Sequence, residues 1–318
     1  MLGYIIRRVL QAILITIGVT LIVFILLHVI PGGGVARNIL GPRANAAQIA
    51  QFNHDNGLDQ PLPLQYLTYL WQLAHGNFGF SYKLNQTVAS ILVQYLPKTL
   101  LLLGLSYVVA IVIAIPLGIY QAVRRNKVDD YVFTGASFIL YSMPVFWLGI
   151  ILIVLFSFVL HWFPAEGPQG AYVTDDLNQL SSLVLPVATL SLVTIASFSR
   201  YMRSSTLENM VQDYTRTARA KGASNSRVLF VHVLRNAMIP ILTLIGLSVG
   251  YVFSGALITE ALFNYPGVGY IFWNATLQTD YPIILGVIVV TGFATVLGSL
   301  MADVMYAIAD PRVRYRRA

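Results

Sequence analysis

The sequence holds no cysteine, which excludes disulfides, thiolate metal sites and a cysteine nucleophile. It is poor in charge. Asp, Glu, Lys and Arg make up 10% of its 318 residues, against about 25% in a typical soluble domain. Hydrophobic residues make up 57%, and the mean hydropathy is +0.70. So little polar surface cannot cover a water-soluble particle of this size, which argues against a soluble enzyme. The five histidines, His28, His54, His75, His161 and His232, are scattered, and none stands at zinc-motif spacing from another. No metal centre is expected. Acidic residues are outnumbered 13 to 20 by Lys and Arg, a net charge of +7. In a soluble protein that excess would raise nucleic acid as a partner. In a membrane protein the first question is on which side the cations lie.

What the sequence does have is long apolar runs. A spanning helix needs about 20 mostly apolar residues. Six segments qualify: 9–30, 99–120, 131–160 with Pro144 inside it, the short 183–198 with Pro186, 236–258 with Pro240, and 283–309. The runs are apolar all round rather than alternating, so helices are expected and not the strands of a barrel. Arg7 and Arg8 precede the first run as in a signal peptide, but the run exceeds the usual roughly 7–15 residues and no Ala-x-Ala site follows it. A retained helix is expected. All but four of the 20 Lys and Arg lie before the first run, between the second and third, between the fourth and fifth, or after the last; the exceptions are Arg37, Arg43, Lys83 and Lys98. The positive-inside rule then places both termini in the cytoplasm. The cations read as an orientation signal, not a nucleic-acid site. The expected fold is an all-α integral membrane protein with six transmembrane helices. Residues 1–30 form the N-terminal segment and first helix, 31–98 a long external region, and 99–318 the core, with a cytoplasmic loop at 200–235.

Two loops carry patterns. Outside, Leu67, Leu70, Trp71 and Ala74 recur at helical spacing, as do Val88, Ile91, Leu92 and Tyr95. This predicts two short amphipathic helices that lie on the bilayer, cap the bundle or offer a platform to an external partner. Inside, Ser205-x-x-Glu208 has the form of a capping box. Leu207, Met210, Val211, Tyr214 and Ala218 follow at helical spacing, Gly222 reads as a stop, and a second helix starts near Ser224. Such a helix–Gly–helix device, with an apolar and a cationic edge, either rests on anionic lipid or docks a cytoplasmic protein.

Pro116, Pro144, Pro186 and Pro240 lie inside or near the ends of spans, where proline removes a backbone hydrogen bond. Kinks are expected there, as static shape or as hinges. Gly246, Gly250 and Ser254, and Ala294, Gly298 and Ala302, form small-residue rows that let membrane helices pack closely. Ionisable residues within spans are functional candidates by default, and few exist. Asp303 stands near the end of the last span and His28 near the end of the first. Glu260 and Asp280 flank the last external loop, as structural acceptors close to an external gate. This paucity suggests that selectivity rests mostly outside this chain.

The run Asp213-Tyr214-Thr215-Arg216-Thr217-Ala218-Arg219-Ala220-Lys221-Gly222 resembles the cytoplasmic "EAA" loop of ABC-importer permeases, in the form found in the dipeptide/oligopeptide/nickel permease family. Arg216 stands where other importers have the glutamate, Thr217 and Ala218 at the two alanines, and Gly222 at the glycine. His232, Arg235, Asn236 and Pro240 continue the pattern. Further motifs resemble the family in the same order: Gly57-Leu58-Asp59-Gln60-Pro61, Ile115-Pro116-Leu117-Gly118, Ser142-Met143-Pro144-Val145-Phe146-Trp147 and Leu185-Pro186. Glu260, Phe263, Tyr265-Pro266-Gly267-Val268-Gly269, Asp280-Tyr281-Pro282 and Asp310-Pro311-Arg312 complete the match over nearly the whole chain. The long segment after helix one resembles the first of two paired permeases. Three departures bear on substrate: Gly32-Gly33-Gly34 replaces Gly-Asp-Pro, Asn77 replaces an aspartate, and Ser299 stands where asparagine is common.

The resemblance implies a type I ABC importer of short peptides in the cytoplasmic (inner) membrane of a prokaryote. It implies a second homologous permease, two P-loop ATPases that bind ATP and Mg2+, and an extracytoplasmic peptide-binding protein. This chain would be non-catalytic and hold no cofactor or metal, in keeping with its lack of a Gly-x-x-x-x-Gly-Lys-[Ser/Thr] motif. The loop Tyr214, Thr215, Arg216, Thr217, Ala218, Arg219, Ala220, Lys221, Gly222 and Ala223 would seat a short helix in an ATPase groove. Small Ala218, Ala220 and Gly222 would permit close approach, and the three cations would meet acidic groups. Glu260, Phe263, Pro266, Gly267, Gly269 and Asp280 would form the external gate region. Import of another small solute, such as a nickel complex or glutathione, is the alternative within the family. A stand-alone channel or secondary carrier would be betrayed by inverted repeats, and none is evident.

Overall fold

The structure, a computed structural model, describes residues 2–29, 34–41, 43–254 and 256–309. Helix α1 (Leu2–Val29) is followed by α2 (Val35–Leu40), α3 (Ala46–Asp55), α4 (Leu62–Ala74) and a small antiparallel hairpin, β1 (Phe80–Ser81) with β2 (Gln86–Thr87). Then come α5 (Val88–Val123), α6 (Val128–Ser142), and α7 (Val145–Leu152), which continues as a π-helix over Ile153–Val159. Next are α8 (Val173–Leu177), α9 (Leu180–Met210), α10 (Asp213–Ala220) and α11 (Asn225–Arg227), which runs through a π-helical stretch (Val228–Val233) into α12 (Leu234–Ser254). The chain closes with α13 (Leu257–Leu262), α14 (Val268–Leu277) and α15 (Tyr281–Ala309). Among the described residues five stretches are long and apolar enough to cross a membrane: α1, α5, α9, α11–α12 and α15. Helices α6 and α7 make a sixth if the pair is one span, although they meet at a bend of 108°. The predicted all-α membrane architecture is the observed one.

Central to the bundle, α5 and α9 lie side by side, with α12, α6 and α7 against α9, α15 against α12, and α1 outside α15. Their contact is close because Gly118 on α5 has no side chain. A Cβ there would stand 2.6 Å from the Met202 Cβ and the Ser199 carbonyl of α9. The outer faces of α1 stay apolar and open, Leu14, Ile22 and Val29 among them, as a helix bordered by lipid requires.

Several expectations are corrected. Residues 88–95 do not form a separate surface helix. They are the first turns of α5, where Val88, Ile91 and Leu92 are buried against Val268, Ile271, Ile283 and Val287. Pro97 lies inside that helix and does not end it. The second long apolar helix therefore begins at Val88, ahead of the expected start at 99. Helix α4 is amphipathic in an unforeseen sense. Its Gln65, Tyr69 and Leu73 face the protein, while Leu67 and Trp71 point outward, Trp71 being 68% exposed. Among the described residues three contacts fasten α4 to α1: His28 Nε2 lies 2.9 Å from Gln65 Oε1, Tyr66 Oη lies 2.9 Å from Thr20 Oγ1, and the Tyr66 hydroxyl donates to the Ile17 carbonyl (3.1 Å).

The four prolines do not behave alike. Pro116, Pro186 and Pro240 sit inside uninterrupted helices, flanked by buried Ala114 and Gly118, Leu185 and Val187, and Ala237 and Ile241. Pro186 is itself buried, whereas Pro116 and Pro240 are exposed on helices whose inner faces pack against neighbours. Around Pro144 the neighbours Tyr141, Ser142 and Phe146 are exposed. A pre-proline residue is biased towards extended backbone. Met143 is extended (φ −83°, ψ 131°), and the corner forms. Of the two small-residue rows, Ala294 is buried, whereas the side-chain surroundings of Gly250, Ser254 and Ala302 lie outside the described residues.

Replacing Gly118 with alanine should cost about 1–3 kcal/mol through overpacking of α5 on α9. Gly104→Ala, where a Cβ meets nothing within 4 Å, should be neutral or stabilising. Unfolding of each purified variant by SDS titration in mixed micelles checks the difference.

Candidate functional site

One end of the bundle collects cations and is called the basic end here: the α5–α6 turn with Arg124, Arg125 and Lys127, and the 211–235 segment with Arg216, Arg219, Lys221, Arg227 and Arg235. Ser205 is not a cap, because α9 runs unbroken to Met210 and buries Ser205 within it. The chain then breaks at Val211-Gln212 and restarts as α10. Thr215 and Ala218 form the inner face of α10. Thr215 is fully buried and donates from Oγ1 to the Asn209 carbonyl (3.0 Å), and the Tyr214 hydroxyl donates to Asn209 Oδ1 (2.5 Å). Ala218 packs against Val228, Val233, Met210 and Leu229. The other face presents Arg216, Thr217, Arg219, Ala220 and Lys221 to the surroundings. Gly222 ends the helix at φ +82°, a left-handed conformation that favours glycine, and the Ala223 N–H closes back on the Ala218 carbonyl (3.1 Å). Ser224 then caps α11 by accepting from the Arg227 N–H. The expected stop and restart are both present. The expected close-approach role of Ala218 is not, since its methyl faces its own chain.

Behind α10, α6 and α9 are clamped by a bidentate pair. Arg203 Nε and Nη2 donate to Asp130 Oδ1 and Oδ2, both at 2.8 Å, and the Asn126 N–H also reaches Oδ2 (3.0 Å). Arg200 and Arg203, read from sequence as part of a cytoplasmic loop, thus belong to the spanning helix α9 itself. Outside the span, Arg124 donates to Asp129 at 2.9 Å, which holds the guanidinium above its ordinary range.

At the opposite end, two adjacent residues of α5 organise everything between α12 and α15. Thr99 Oγ1 donates to Glu260 Oε1 (2.9 Å) and accepts from the Val268 N–H (2.7 Å). Glu260 Oε2 accepts from the N–H groups of Gly269 (2.7 Å) and Tyr270 (3.1 Å), and Oε1 from that of Ala256 (3.3 Å). Thr99 and Glu260 together satisfy the first three N–H groups of α14, a service its own N-cap, Gly267, cannot perform. A side chain on Gly267 would collide with the carboxylate, and a Cβ on Gly269 would lie 2.5 Å from the Leu257 Cα. The Gly-Val-Gly sequence is therefore what lets Glu260 reach in. Burial pushes the Glu260 carboxyl above its ordinary range, against the pull of these donors.

The neighbouring Lys98 is equally buried, with Nζ 3.1 Å from Asp176 Oδ1 and 2.5 Å from the Gly170 carbonyl. The Tyr265 hydroxyl stands 2.7 Å from Asp176 Oδ2 and 2.9 Å from the Lys98 carbonyl, and its ring lies 5.4 Å from the ammonium. Burial first, and Asp176 second, raise the Tyr265 hydroxyl above the usual tyrosine range. Of the gate candidates, the structure brings Glu260, Gly267 and Gly269 together. Phe263 belongs elsewhere, buried with Leu148, Leu152 and Leu185. Pro266 is half-buried, and Asp280 accepts from Ser81 Oγ (2.5 Å), tying the hairpin to the start of α15. Asp303 falls within α15, and its side chain lies outside the described residues, as do residues 310–318. Sequence reasoning missed Lys98, Asp176, Tyr265 and the Asp130–Arg203 clamp. The available signal was a charge inside an apolar run.

Lys98→Met should lower stability by about 3–5 kcal/mol, because it leaves Asp176 buried without its cation; the double change Lys98→Met, Asp176→Asn should recover part of that loss. Glu260→Ala should cost about 3 kcal/mol by removing the acceptor of one buried and two part-buried backbone N–H groups and of the Thr99 hydroxyl. The SDS midpoints of the purified variants measure both.

Comparison with known proteins places this geometry. The family described as binding-protein-dependent transport system inner membrane component matches residues 114–315, and that described as the N-terminal part of such a membrane component matches residues 1–103. The chain is 38% identical over 317 residues to the oligopeptide transport system permease protein AppB of Bacillus subtilis, covering 99% of this chain and 100% of the relative. It is 37% identical over 336 residues to the di/tripeptide transport system permease protein DppB of Pseudomonas aeruginosa, with 100% of each chain covered. Against the dipeptide transport system permease protein DppB of Escherichia coli K12 it is 35% identical over 345 residues, again 100% of each. With its whole length matched and its apolar helices long enough to cross a membrane, the chain belongs to the binding-protein-dependent transport system inner membrane components, as a multi-pass permease subunit.

Proposed function

We propose that this chain is the membrane permease of an ATP-driven importer of short peptides and forms half of the translocation path with a second, homologous permease. The observation that carries the reading is likeness over the full length to permeases named for oligopeptide, di/tripeptide and dipeptide transport. In this reading the basic end faces the cytoplasm, as the positive-inside rule requires. Two ATPases supply ATP hydrolysis there, with Mg2+, and a peptide-binding protein delivers substrate to the opposite end.

The coupling element is α10. Its inner face is anchored by Thr215 and Ala218, so a push on α10 reaches α9 through Asn209 and α12 through Val228 and Val233. Its outer face offers Arg216, Arg219 and Lys221 to acidic groups of an ATPase. The Asp130–Arg203 clamp passes that motion to α6, and the corner at Pro144 is where the bundle flexes. Glu260, Thr99, Lys98 and Asp176 hold the opposite end rigid, so that the gate moves as one body.

The test is ATP-dependent uptake of a labelled dipeptide into proteoliposomes holding the complex that copurifies with this chain. The double charge reversal Arg216→Glu, Arg219→Glu, at exposed positions that support no packing, should lower uptake at least about tenfold and release the ATPases on purification, with the SDS midpoint unchanged. Full uptake by that variant would remove α10 from the coupling role.

A further inference from the structure

Helix α4 has its polarity turned inside out. None of its 13 residues is charged. Its exposed face carries Leu64, Leu67 and Trp71 at helical spacing, with Leu62 at its start. Its amide and hydroxyl side chains lie on another side. Gln65, Thr68 and Gln72 line a cavity of about 280 Å³ together with His28, Asn56 and Asn77. A helix bordered by water carries the reverse pattern, with its apolar stripe on the protein and its polar residues outward.

The position of α4 fixes what borders that face. On α1, Gln65 reaches His28, and Tyr66 reaches Thr20 and the Ile17 carbonyl. Between these two holds α4 lies level with Phe24, whose ring is 5.3 Å from that of Tyr66 and 5.9 Å from that of Tyr69. Phe24 belongs to the apolar stretch Val9–Leu26, which is long enough to cross a membrane. Tyr69 and Leu73 also pack against the cluster of Val23, Leu285 and Val289. The last two stand four and eight residues into a second such stretch, which starts at Tyr281, about 6 and 12 Å by helical rise. Both neighbours therefore hold α4 within the apolar length of spanning helices. Ile22 and Ile25, on either side of Val23 and Phe24, are open, so the outer face of α4 continues the lipid-bordered face of α1. Helices that lie among headgroups carry Lys and Arg for them, and α4 has neither. A second permease fits less well, because helices joined within a membrane meet through small and polar residues, whereas Leu64, Leu67 and Trp71 are large and apolar. A delivery protein in water would have to reach below the ends of α1 and α15.

We propose that α4 is a non-spanning helix immersed in the leaflet away from the basic end, with Leu64, Leu67 and Trp71 against the acyl chains of phospholipid. It forms the wall between the bilayer and the polar cavity behind it. The inference rests on the chain being a membrane subunit and is independent of which solute it carries.

Its test uses the complex that copurifies with this chain, reconstituted in phosphatidylcholine tritiated in its acyl chains. A photoreactive benzoylphenylalanine replaces Leu67 in one preparation and Asp55, exposed at the end of α3, in another. After illumination and removal of free lipid, the chain with the probe at position 67 should carry at least about tenfold more tritium than the chain with the probe at position 55. Saturating delivery protein should leave that ratio unchanged. If the Leu67 variant fails to assemble, Trp71, an aromatic residue of similar bulk, takes the probe with the same expected result. Tritium at position 67 or 71 no higher than at position 55 would overturn the inference. So would a photoproduct that joins α4 to the partner permease or to the delivery protein in place of phospholipid.

Discussion

Two consecutive side chains on α5, Lys98 and Thr99, hold the end of the bundle opposite the cations. Each is buried and polar, so each must find partners where no water can supply them. Lys98 draws in Asp176, the Gly170 carbonyl and Tyr265; Thr99 draws in Glu260 and the start of α14. The loops before α9 and before α15 thereby acquire a fixed position relative to α5, and the short helices α13 and α14 need no long apolar face of their own. The arrangement is all or nothing. A half-satisfied network of buried charge and backbone amides would be worse than an apolar core.

The other end is built on the opposite plan. Its contacts with α10 are few, local and mostly apolar, with cations turned outward. The clamp between Asp130 and Arg203 is the one strong polar link there between α6 and α9 among the described residues. A rigid end and a lightly held end, joined by long helices, are in keeping with the proposed coupling role. At the corner of Pro144 the residues Tyr141, Ser142 and Phe146 are exposed, while Met143 packs against the cluster of Leu148, Leu152, Leu185 and Phe263.

Charge inside the bundle has three uses in this chain. In Lys98–Asp176 it locks loops. In Arg203–Asp130 it joins helices. At Arg200 it lies over the rings of Phe138 and Tyr141, which ties α9 to α6 a second time.

The helical membrane class, the approximate spans, the bias of the cations to one end, and the stop at Gly222 with restart at Ser224 were all legible in the residues. They depend on composition, on runs about 20 residues long and on local backbone preference, which are properties of neighbours in the chain. What the tertiary structure decided depends on residues far apart. Residues 88–95 join α5 because Val268, Ile283 and Val287 cover them. Pro116, Pro186 and Pro240 stay within continuous helices, whereas the chain turns a corner at Pro144. Ser205 lies inside a helix rather than at its start. Glu260 caps a helix eight residues further on with help from Thr99, 161 positions away. No window of sequence contains such pairs, because burial and hydrogen bonding are settled by which surfaces meet.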